Sequence, residues 1–415
     1  MSDIRFEGWL HRTGTGGVYQ DSAGNVGIAS TQPKTRLDIQ NGAFQIGPAG
    51  ICTATTVNTT NLVNATPLTN RNLISNGAMN VAQRETSETG LGASAGYFTL
   101  DRYRTTFSNT AGRLTMAQVA DVHDGFANAM KLTCTTADTS IGANEYFILQ
   151  QKFEGQDIQQ LKKGSSDAEE FTVSFYVKGN ASATYVVEMY DLDNNRQVGK
   201  TFSVTTSWTR VELTFPADTT GALDDDNNAS LQFGIWLHAG STYTSGTLAT
   251  SWISNVSAQR AGGITSFFDS TDRTFFLTGL QLEVGSVATP FEHRAVGDDL
   301  TRCQRYYQEI SMSTMLMGST NGSTQLGNVS IPLAVPMRSA PTIASGITYH
   351  MWHGDNNGAN NDGTALVASS FSDSNNPSHS VLIKGTLNGF SGRTDNRIGG
   401  ACANSGTPIK LDAEL

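Results

Sequence analysis

The chain has 415 residues, of which 42 are glycine and only 15% are charged, a composition that favours short strands and tight turns over long helices. We therefore predict an all-β protein of roughly two or three domains. The 37 acidic residues outnumber the 27 basic ones, and the net charge of −10 argues against a nucleic-acid partner. Hydrophobic residues make up 38% of the chain, a low fraction that predicts burial of apolar surface against other chains.

Four cysteines, Cys52, Cys134, Cys303 and Cys402, lie far apart, and none belongs to a C-x-x-C pair. This spacing predicts free thiols and indicates neither a zinc site nor a dense disulfide framework. The start, MSDIRFEGWLHR, lacks the apolar run of a signal peptide, and no apolar segment reaches the roughly 18 residues of a membrane span. We expect synthesis in a cytoplasm and no membrane insertion.

Residues 1–50 form the first predicted segment, a β arm rich in glycine and threonine. Alternating apolar residues in GNVGIASTQPKTRLDI, interrupted at Pro33, predict a hairpin or a bend. The arm is either loosely ordered or a β segment that becomes stable by wrapping around identical chains or by fitting a socket formed by other proteins. Residues 51–71 are polar and β-branched, which predicts a linker or an extended shaft.

Residues 72–295 are predicted to form one jelly-roll β-sandwich, because strand patterns recur every 10 to 15 residues, as in sandwich folds. The predicted strands are Arg113–Val119, Ala129–Cys134, Glu145–Phe153, Glu170–Lys178, Thr184–Tyr190, Gln197–Thr205, Thr209–Phe215, Ser230–Ala239, Ser251–Gln259 and Arg273–Val284.

After the last of these strands, Pro290 interrupts the strand pattern, since proline has no N–H to donate. A short connecting helix is predicted at 296–311, with Asp298 as its N-cap. Its apolar positions at helical spacing are Leu300, Cys303, Tyr307 and Ile310. This face packs either against the sandwich or on a symmetry axis.

Residues 312–415 are predicted to form a separate C-terminal β tip domain. Alternation between Val329 and Val335 indicates one strand, and Ser380–Lys384 and Ile409–Leu415 supply others. A chain that ends on a strand requires that strand to be paired.

Aromatic side chains are the best candidates for sugar contacts, since a flat ring can pack on the C–H face of a sugar. Tyr243 lies in a loop, and Trp252 is a second candidate, whereas Trp208 and Trp236 lie among alternating apolar residues and are expected in the core. A further cluster, HMWHGDNNGANNDG at 350–363, predicts either a glycan-contacting loop, a solvated loop or a weak metal site. Its candidate residues are His350, Trp352, His353, Asp355 and Asn357.

Cofactors are not expected, although Ca²⁺ is possible. Asp191 and Asp193 in YDLDNNRQ match the start of a calcium loop, but Arg196 replaces the glycine that such a loop needs, and a hairpin turn is the simpler interpretation. Asp225 lies in a second acidic loop that is either solvated or calcium-binding.

Enzyme activity is not expected, because none of the common catalytic or nucleotide-binding motifs occurs in the sequence. Glu188 and Glu212 are isolated carboxylates that strand alternation places on an outer face, and hydrolysis would require such a pair to meet in space.

Three phrases resemble receptor-binding fibre and tail-appendage proteins of tailed bacteriophages: NLISNGAMNVAQR at 72–84, YFTLDRY at 97–103, and LTGLQLEVGSVATPFEHRAVGDDLTRCQRYY at 277–307. Residues 24–39 are similar to a short unit of fibre shafts and trimeric adhesins. SFYVKG at 174–179 and TTSWTRVELTFPA at 205–217 resemble the sandwich of carbohydrate-binding modules.

The resemblance implies a homotrimeric fibre, located on the virion, that attaches the particle to a host-surface polysaccharide. It also implies contact with other virion proteins of the tail, neck or capsid through the N-terminal arm. The attachment residues expected there are Phe6, Trp9, Leu10, Val26 and Ile28. Two alternatives remain open: a purely structural virion subunit, such as a head fibre, neck whisker or tail connector, and a glycan-degrading tailspike.

Overall fold

The structure is a computed structural model that describes residues 8–10, 17–28, 37–39, 44–46, 52–54, 70–310, 316–320, 325–343, 348–353, 361–364, 366–367, 382–388, 398–403 and 408–415. The chain divides into two compact units, Met1–Ala65 and Thr66–Leu415. Nearly all of the regular secondary structure in both units is β, which confirms the predicted fold class.

The first unit contains a six-stranded sheet in which each strand neighbours the next along the chain. Its strands are β1 Gly8–Leu10, β2 Gly17–Gln20, β3 Val26–Ile28, β4 Leu37–Ile39, β5 Phe44–Ile46 and β6 Cys52–Ala54. Asp21 shapes the turn between β2 and β3, because its carboxylate accepts hydrogen bonds from the backbone N–H groups of Ala23 and Asn25, each at 2.9 Å. β3 and β4 pair in parallel, so the hairpin alternative is wrong, and residues 29–36, where a bend was the other alternative, lie outside the described residues.

Of the five predicted attachment residues, only Val26 and Ile28 have side chains that the structure describes. Phe6 lies outside the described residues, and the side chains of Trp9 and Leu10 in β1 also lie outside them. Val26 is half-buried, and Ile28 is 40% exposed. The Cα partner of Ile28 in β2 is Val18, which is 37% exposed, so this strand pair carries apolar surface.

The second unit begins with a β-sandwich of two antiparallel sheets. One sheet has the order β16-β13-β19-β11-β10-β7 and the other β18-β15-β14-β17-β12-β9-β8. In chain order these strands are β7 Ser87–Leu91, β8 Gly96–Tyr97, β9 Arg104–Ser108, β10 Arg113–Val119, β11 Ala129–Thr136, β12 Tyr146–Glu154, β13 Phe171–Gly179, β14 Ala183–Asp191, β15 Arg196–Val204, β16 Thr209–Phe215, β17 Ala229–Ala239, β18 Ile253–Ser254 and β19 Thr274–Val284.

The inner faces of the two sheets share one apolar core. Phe147 and Leu149 of the seven-stranded sheet and Phe175 and Leu282 of the six-stranded sheet are all fully buried in it. Burying such residues removes apolar surface from water, which stabilises the sandwich by about 2 kcal/mol for each large side chain. Since side chains alternate along a strand, this burial also determines which residues face outward.

One predicted strand, Ser251–Gln259, is wrong. Only Ile253–Ser254 is extended within a sheet, and a 3₁₀ turn follows at Ser257–Gln259. The backbone here bonds to its own loop, since Ala249 N donates to Gln259 O at 3.1 Å. The sequence also contained no clear alternation for the short strands β7, β8 and β9.

The connecting helix, α2, spans Val296–Gln304 and is shorter than predicted. Its N-cap is Ala295 rather than Asp298, which lies in the first turn. Cys303 is fully buried in this unit, and both it and Cys134 are free thiols, as predicted. No helix within the described residues is long and apolar enough to cross a membrane.

Tyr307–Ile310, predicted as the end of the helix, forms strand β20 instead. These residues form a strand because β29, Ile409–Asp412, near the end of the chain, pairs with them. On its other side β29 pairs with β23, Thr342–Ile343. The expectation that the last strand is paired is therefore confirmed.

A further sheet has the order β25-β24-β28-β21-β22-β27-β26. Its strands are β21 Leu316–Thr320, β22 Gln325–Pro332, β24 Thr348–His353, β25 Asn361–Thr364, β26 Leu366–Val367, β27 Leu382–Asn388 and β28 Ile398–Ala403.

Two of the sequence segments on which the phage resemblance rests are in contact, one beginning at residue 72 and the other at residue 277. The Asn72 side chain donates to Leu280 O at 3.0 Å and accepts from Leu282 N at 3.1 Å. Gly77 lies against the same strand, where a Cβ would approach Leu280 O to 2.2 Å. The start of the sandwich is thus joined to its last strand by contacts that require asparagine and glycine.

The C-terminus is clamped to the sandwich by two arginines. Arg102, 2% exposed, forms an ion pair with Glu414 and lies over the Tyr306 ring at 3.3 Å. Arg84 reaches Asp412 at 3.0 Å and lies over the Tyr307 ring at 3.7 Å. The last residues of the chain are therefore part of the folded core.

We expect Glu414→Gln to lower the free energy of unfolding by about 3 kcal/mol, because it leaves the buried Arg102 charge without its carboxylate. Glu169→Gln is the matched control, since the Lys162–Glu169 pair at 2.6 Å is exposed and its loss should cause no measurable change. Urea denaturation of both variants measures the effect. Equal stabilities would contradict the clamp.

A pH dependence follows from Asp101, which lies beside this clamp and is fully buried. Burial raises the pKa of Asp101 to about 6 from 3.8, although hydrogen bonds from Gln83 oppose the rise. Protonation of Asp101 therefore stabilises the folded state. This stabilisation is fully present below pH 3.8 and is lost as the pH rises through about 6. Relative to Asp101→Asn, the wild type should lose about 2 kcal/mol between pH 4 and pH 7. Denaturation at several pH values tests this, and a constant difference would contradict it.

Candidate binding groove

A groove of about 300 Å³ lies on the outer face of the seven-stranded sheet. Its floor follows from strand alternation: because Phe147 and Leu149 are buried inward, Ile148 and Gln150 of β12 face outward into the groove. The volume is within the range of small-ligand sites.

The neighbouring strand β17 supplies the second row of the floor, with Gln232 and Trp236 facing the groove. Gly234 lies between them, and a Cβ at this position would be 3.1 Å from Ile148 Cγ2. The middle of the floor therefore has no side chain on this strand, which leaves room for a bound molecule.

One end of the groove, the aromatic end, consists of Tyr146, Trp236 and Tyr243. The Tyr243 ring lies 5.2 Å from that of Trp236 and 5.4 Å from that of Tyr146, at an interplanar angle of 88° to the latter. Trp236 is 1% exposed, whereas Tyr146 and Tyr243 are half-buried. Tyr243 is held over the sheet by the short helix α1, Ser241–Thr244. Two tyrosine rings are thus available to a ligand on a rigid base.

A buried ion pair supports the floor. Glu188 of β14, 1% exposed, accepts from Arg260 Nε and Nη2, both at 2.7 Å, and from Trp236 Nε1 at 2.9 Å. Arg260 also lies over the rings of Tyr190, at 4.5 Å, and Trp236, at 4.9 Å. Burial lowers the pKa of Arg260, but the charge of Glu188 and its hydrogen bond outweigh burial, so the net pKa of Arg260 is raised and Arg260 stays charged.

The other end, the cationic end, contains Arg104 of β9 and Lys152 of β12. Within the described part of the chain, neither side chain forms an ion pair. Burial, together with the charges of Arg104 and Arg102, lowers the pKa of Lys152. Between the two ends, Thr106 donates to Gln150 Oε1 at 2.7 Å. The groove therefore offers the rings of Tyr146 and Tyr243 at one end, amides in the middle, and cations together with the Tyr190 ring at the other end.

The structure separates the aromatic residues predicted to contact sugar. Tyr243 lines the groove, but Trp252 packs against the core elsewhere, where its Nε1 donates to Pro216 O at 2.9 Å. Trp236, expected in the core, is buried as predicted but by the outer cluster beneath the groove rather than between the sheets. Trp208 is half-buried against Phe276.

The predicted loop at 350–363 is strand at its start. His350, Trp352 and His353 belong to β24, so their assignment to a loop is wrong, and nothing is described of their side chains. They lie in a strand because β24 pairs with β28 along its length. Asp355 and Asn357 lie outside the described residues.

The weak calcium candidates occupy two loops that touch. Asp191 is fully buried, and its carboxylate accepts from Lys163 Nζ at 2.5 Å and Asn194 N at 2.9 Å. Asp193 accepts from Asp224 N at 2.9 Å, and Asp225 is exposed. β14 and β15 pair up to Asp191 and Arg196, so the hairpin interpretation is confirmed.

A different cluster brings three metal-ligating side chains together. One ligand atom from each of Asp138, Glu145 and His238 lies within 4.8 Å of the other two. His238 is fully buried and directs Nε2 toward Glu145 Oε2 at 3.6 Å, while its Nδ1 lies 2.8 Å from Ser266 Oγ. Its ring contacts Phe268 of the core, and none of the three residues lines the groove.

Sequence reasoning missed most of the groove, including Arg104, Tyr146, Lys152 and Arg260. One signal was present: the residues at 146, 148, 150 and 152 alternate with Phe147, Leu149, Gln151 and Phe153, three of which are apolar, in the correctly predicted strand. Arg260 had no such signal, because a loop carries it to Glu188, 72 residues earlier in the chain.

No protein-family model matches the sequence, and no curated protein matches it. Among solved structures, a CBM4 module is similar at 14% identity and a TM-score of 0.27, over 51% of this chain and 99% of that chain. The TmCBM61 module in complex with beta-1,4-galactotriose is 11% identical with a TM-score of 0.27, over 52% and 99%. The enzymatically active domain of tailspike protein 4 of bacteriophage CBA120 is 11% identical with a TM-score of 0.28, over 51% and 21%. These are weak likenesses, and the sandwich assignment rests on the two sheets themselves.

We expect Glu188→Gln to lower the free energy of unfolding by about 3 kcal/mol, since Arg260 would lose its buried anionic partner. The change should also alter tryptophan fluorescence, because Trp236 Nε1 loses a charged acceptor. Glu212→Gln is the control: Glu212 is 51% exposed beside Arg210, and its replacement should cost less than about 1 kcal/mol. Equal effects of the two changes in chemical denaturation would contradict the structural role of Glu188.

Proposed function

We propose that the groove binds a glycan and that the protein is a non-enzymatic bacteriophage virion fibre, a homotrimer that attaches the particle to a host-surface polysaccharide. The observation that carries the proposal is the combination of two accessible tyrosine rings with amide and cationic side chains in one open groove. Sugars present flat C–H faces to rings and hydroxyl groups to hydrogen-bonding side chains.

The shape of the groove suits a chain rather than a single small molecule. Tyr146 and Lys152 both face outward on β12, six residues apart, which corresponds to about 20 Å of strand. An extended oligosaccharide could therefore contact the aromatic end and the cationic end at the same time. The rigid sheet beneath lowers the entropic cost of ordering the site.

The arrangement of carboxylates supports binding without hydrolysis. Glycoside hydrolysis uses two carboxyl groups that flank the scissile bond. Among the described residues that line the groove, none is aspartate or glutamate. Glu188 lies below the floor with its oxygens engaged by Arg260 and Trp236, and Glu212 lies in the other sheet.

The virion location and the trimer are proposed from the sequence resemblance. Two observations are consistent with them: the low apolar content of the chain, and the exposed apolar pair Val18 and Ile28 in the first unit. Three grooves on one particle component would add avidity to weak individual contacts, since each later contact is intramolecular.

We expect Tyr243→Ala and Tyr146→Ala each to weaken glycan binding at least tenfold without unfolding the protein, because both rings are partly accessible at the aromatic end. Tyr176→Ala is the matched control: Tyr176 is also half-buried, but it lies in β13 of the other sheet, stacked on His123 at 4.1 Å. Binding of the full chain is measured on a glycan array and then by titration calorimetry.

The solution mass of the same preparation tests the oligomer, with three times 44.3 kDa expected. Absence of glycan binding by a folded trimer would favour a purely structural subunit. Release of reducing ends from a bound polysaccharide would favour a tailspike enzyme. Equal losses of binding in Tyr243→Ala and Tyr176→Ala would contradict the groove as the site.

A further inference from the structure

The groove carries positive charge in a protein whose net charge is −10. Three cations line it, and Arg260 is neutralised by Glu188. Arg104 and Lys152 have no ion-pair partner among the described residues, although carboxylates outnumber basic side chains in the chain. Two buried cations differ, because Lys163 pairs with Asp191 and Arg102 pairs with Glu414.

The two unpaired cations are neighbours. β9 and β12 are adjacent, Arg104 is the Cα partner of Gln150, and Lys152 lies two residues farther along the same face. Arg102 lies next to them, since its Nη2 donates to Lys152 O at 2.7 Å, but its charge is paired with Glu414. Like charges held this close repel one another, and partial burial strengthens the repulsion.

We infer that the groove binds an acidic polysaccharide, with Arg104 and Lys152 receiving an anionic substituent of one sugar while a sugar farther along the same chain packs on Tyr146 and Tyr243. A carboxylate, sulfate or phosphate group would supply the negative charge that the protein itself does not place there. Arginine and lysine both form strong charge-assisted hydrogen bonds to such oxygens. This inference rests on the proposed function and specifies its ligand class.

The geometry assigns different tasks to the two ends. The aromatic end contacts the sugar ring and does not distinguish neutral from acidic sugars. The cationic end, about 20 Å away along β12, makes that distinction. Loss of a ring should therefore weaken binding to acidic and neutral glycans alike, and loss of a cation should weaken binding to acidic glycans much more than to neutral ones.

The test uses the full chain with two matched polymers, polygalacturonate and its methyl ester, which share one sugar backbone and differ in whether each carboxyl group is charged or carries a neutral methyl ester. We expect the acidic polymer to bind at least tenfold more tightly at low salt, and the difference to shrink as NaCl is raised from about 50 to 500 mM. Dextran sulfate and dextran form a second pair, which shows whether a sulfate is accepted in place of a carboxylate.

Lys152→Met and Arg104→Met should each weaken binding of the acidic polymer about tenfold and weaken binding of the methyl ester much less. Methionine keeps much of the apolar stem, so the groove retains its shape. Lys131→Met is the control, because Lys131 lies in β11 of the opposite sheet, near the Phe276 ring. An equal loss in Lys131→Met would overturn the inference, since binding would then follow net charge alone.

The outcomes separate this inference from the proposed function. Equal binding of the two polymers, weakened by Tyr243→Ala but not by Lys152→Met, would overturn the acidic ligand and retain the glycan site. Absence of binding to every polymer and to a glycan array, by a protein with native stability, would overturn both. Selective loss of acidic binding in the two cation variants supports the inference.

Discussion

Burial of the facing sides of two β-sheets is the constraint on which the rest of the structure depends. Because a strand alternates its side chains, placing Phe147 and Leu149 in the core commits Ile148 and Gln150 to the opposite face. Outward-facing residues of neighbouring strands, placed in the same way, form the floor of the groove. A shift of one residue in the register of β12 would turn its core residues outward and its groove residues inward. The site therefore cannot change independently of the fold.

Charges in the sandwich fall into two groups with different roles. Buried charges such as Arg102 with Glu414 are paired, and their pairing connects distant parts of the chain. Removal of one partner is costly because it leaves an uncompensated charge in a poorly solvated place. Arg104 and Lys152 differ, since they face a solvent-accessible groove without a carboxylate. Unpaired charge concentrated at one site is typical of recognition rather than of stabilisation.

Residues of a loop complete the groove whose floor the seven-stranded sheet forms. The segment 240–264 crosses the outer face of the seven-stranded sheet and brings Tyr243 and Arg260 over it, with Ala261 N donating to Tyr243 O at 2.9 Å. The rigid sheet and the ion pair to Glu188 hold these side chains in place. Binding residues on loops above a rigid frame are common in β-proteins, because loops vary without disturbing the core.

The sequence alone determined the fold class, most strand positions and the core, because period-2 alternation and turn residues are local signals. It also singled out Tyr243, which a Gly- and Ser-rich loop marks as outside the core. Tertiary structure decided the rest: Tyr307 joined a strand because β29 arrived to pair with it, and Trp252 lay apart from Tyr243. The groove itself depends on which strands become neighbours and which loop covers them, and these are long-range pairings that no local pattern encodes.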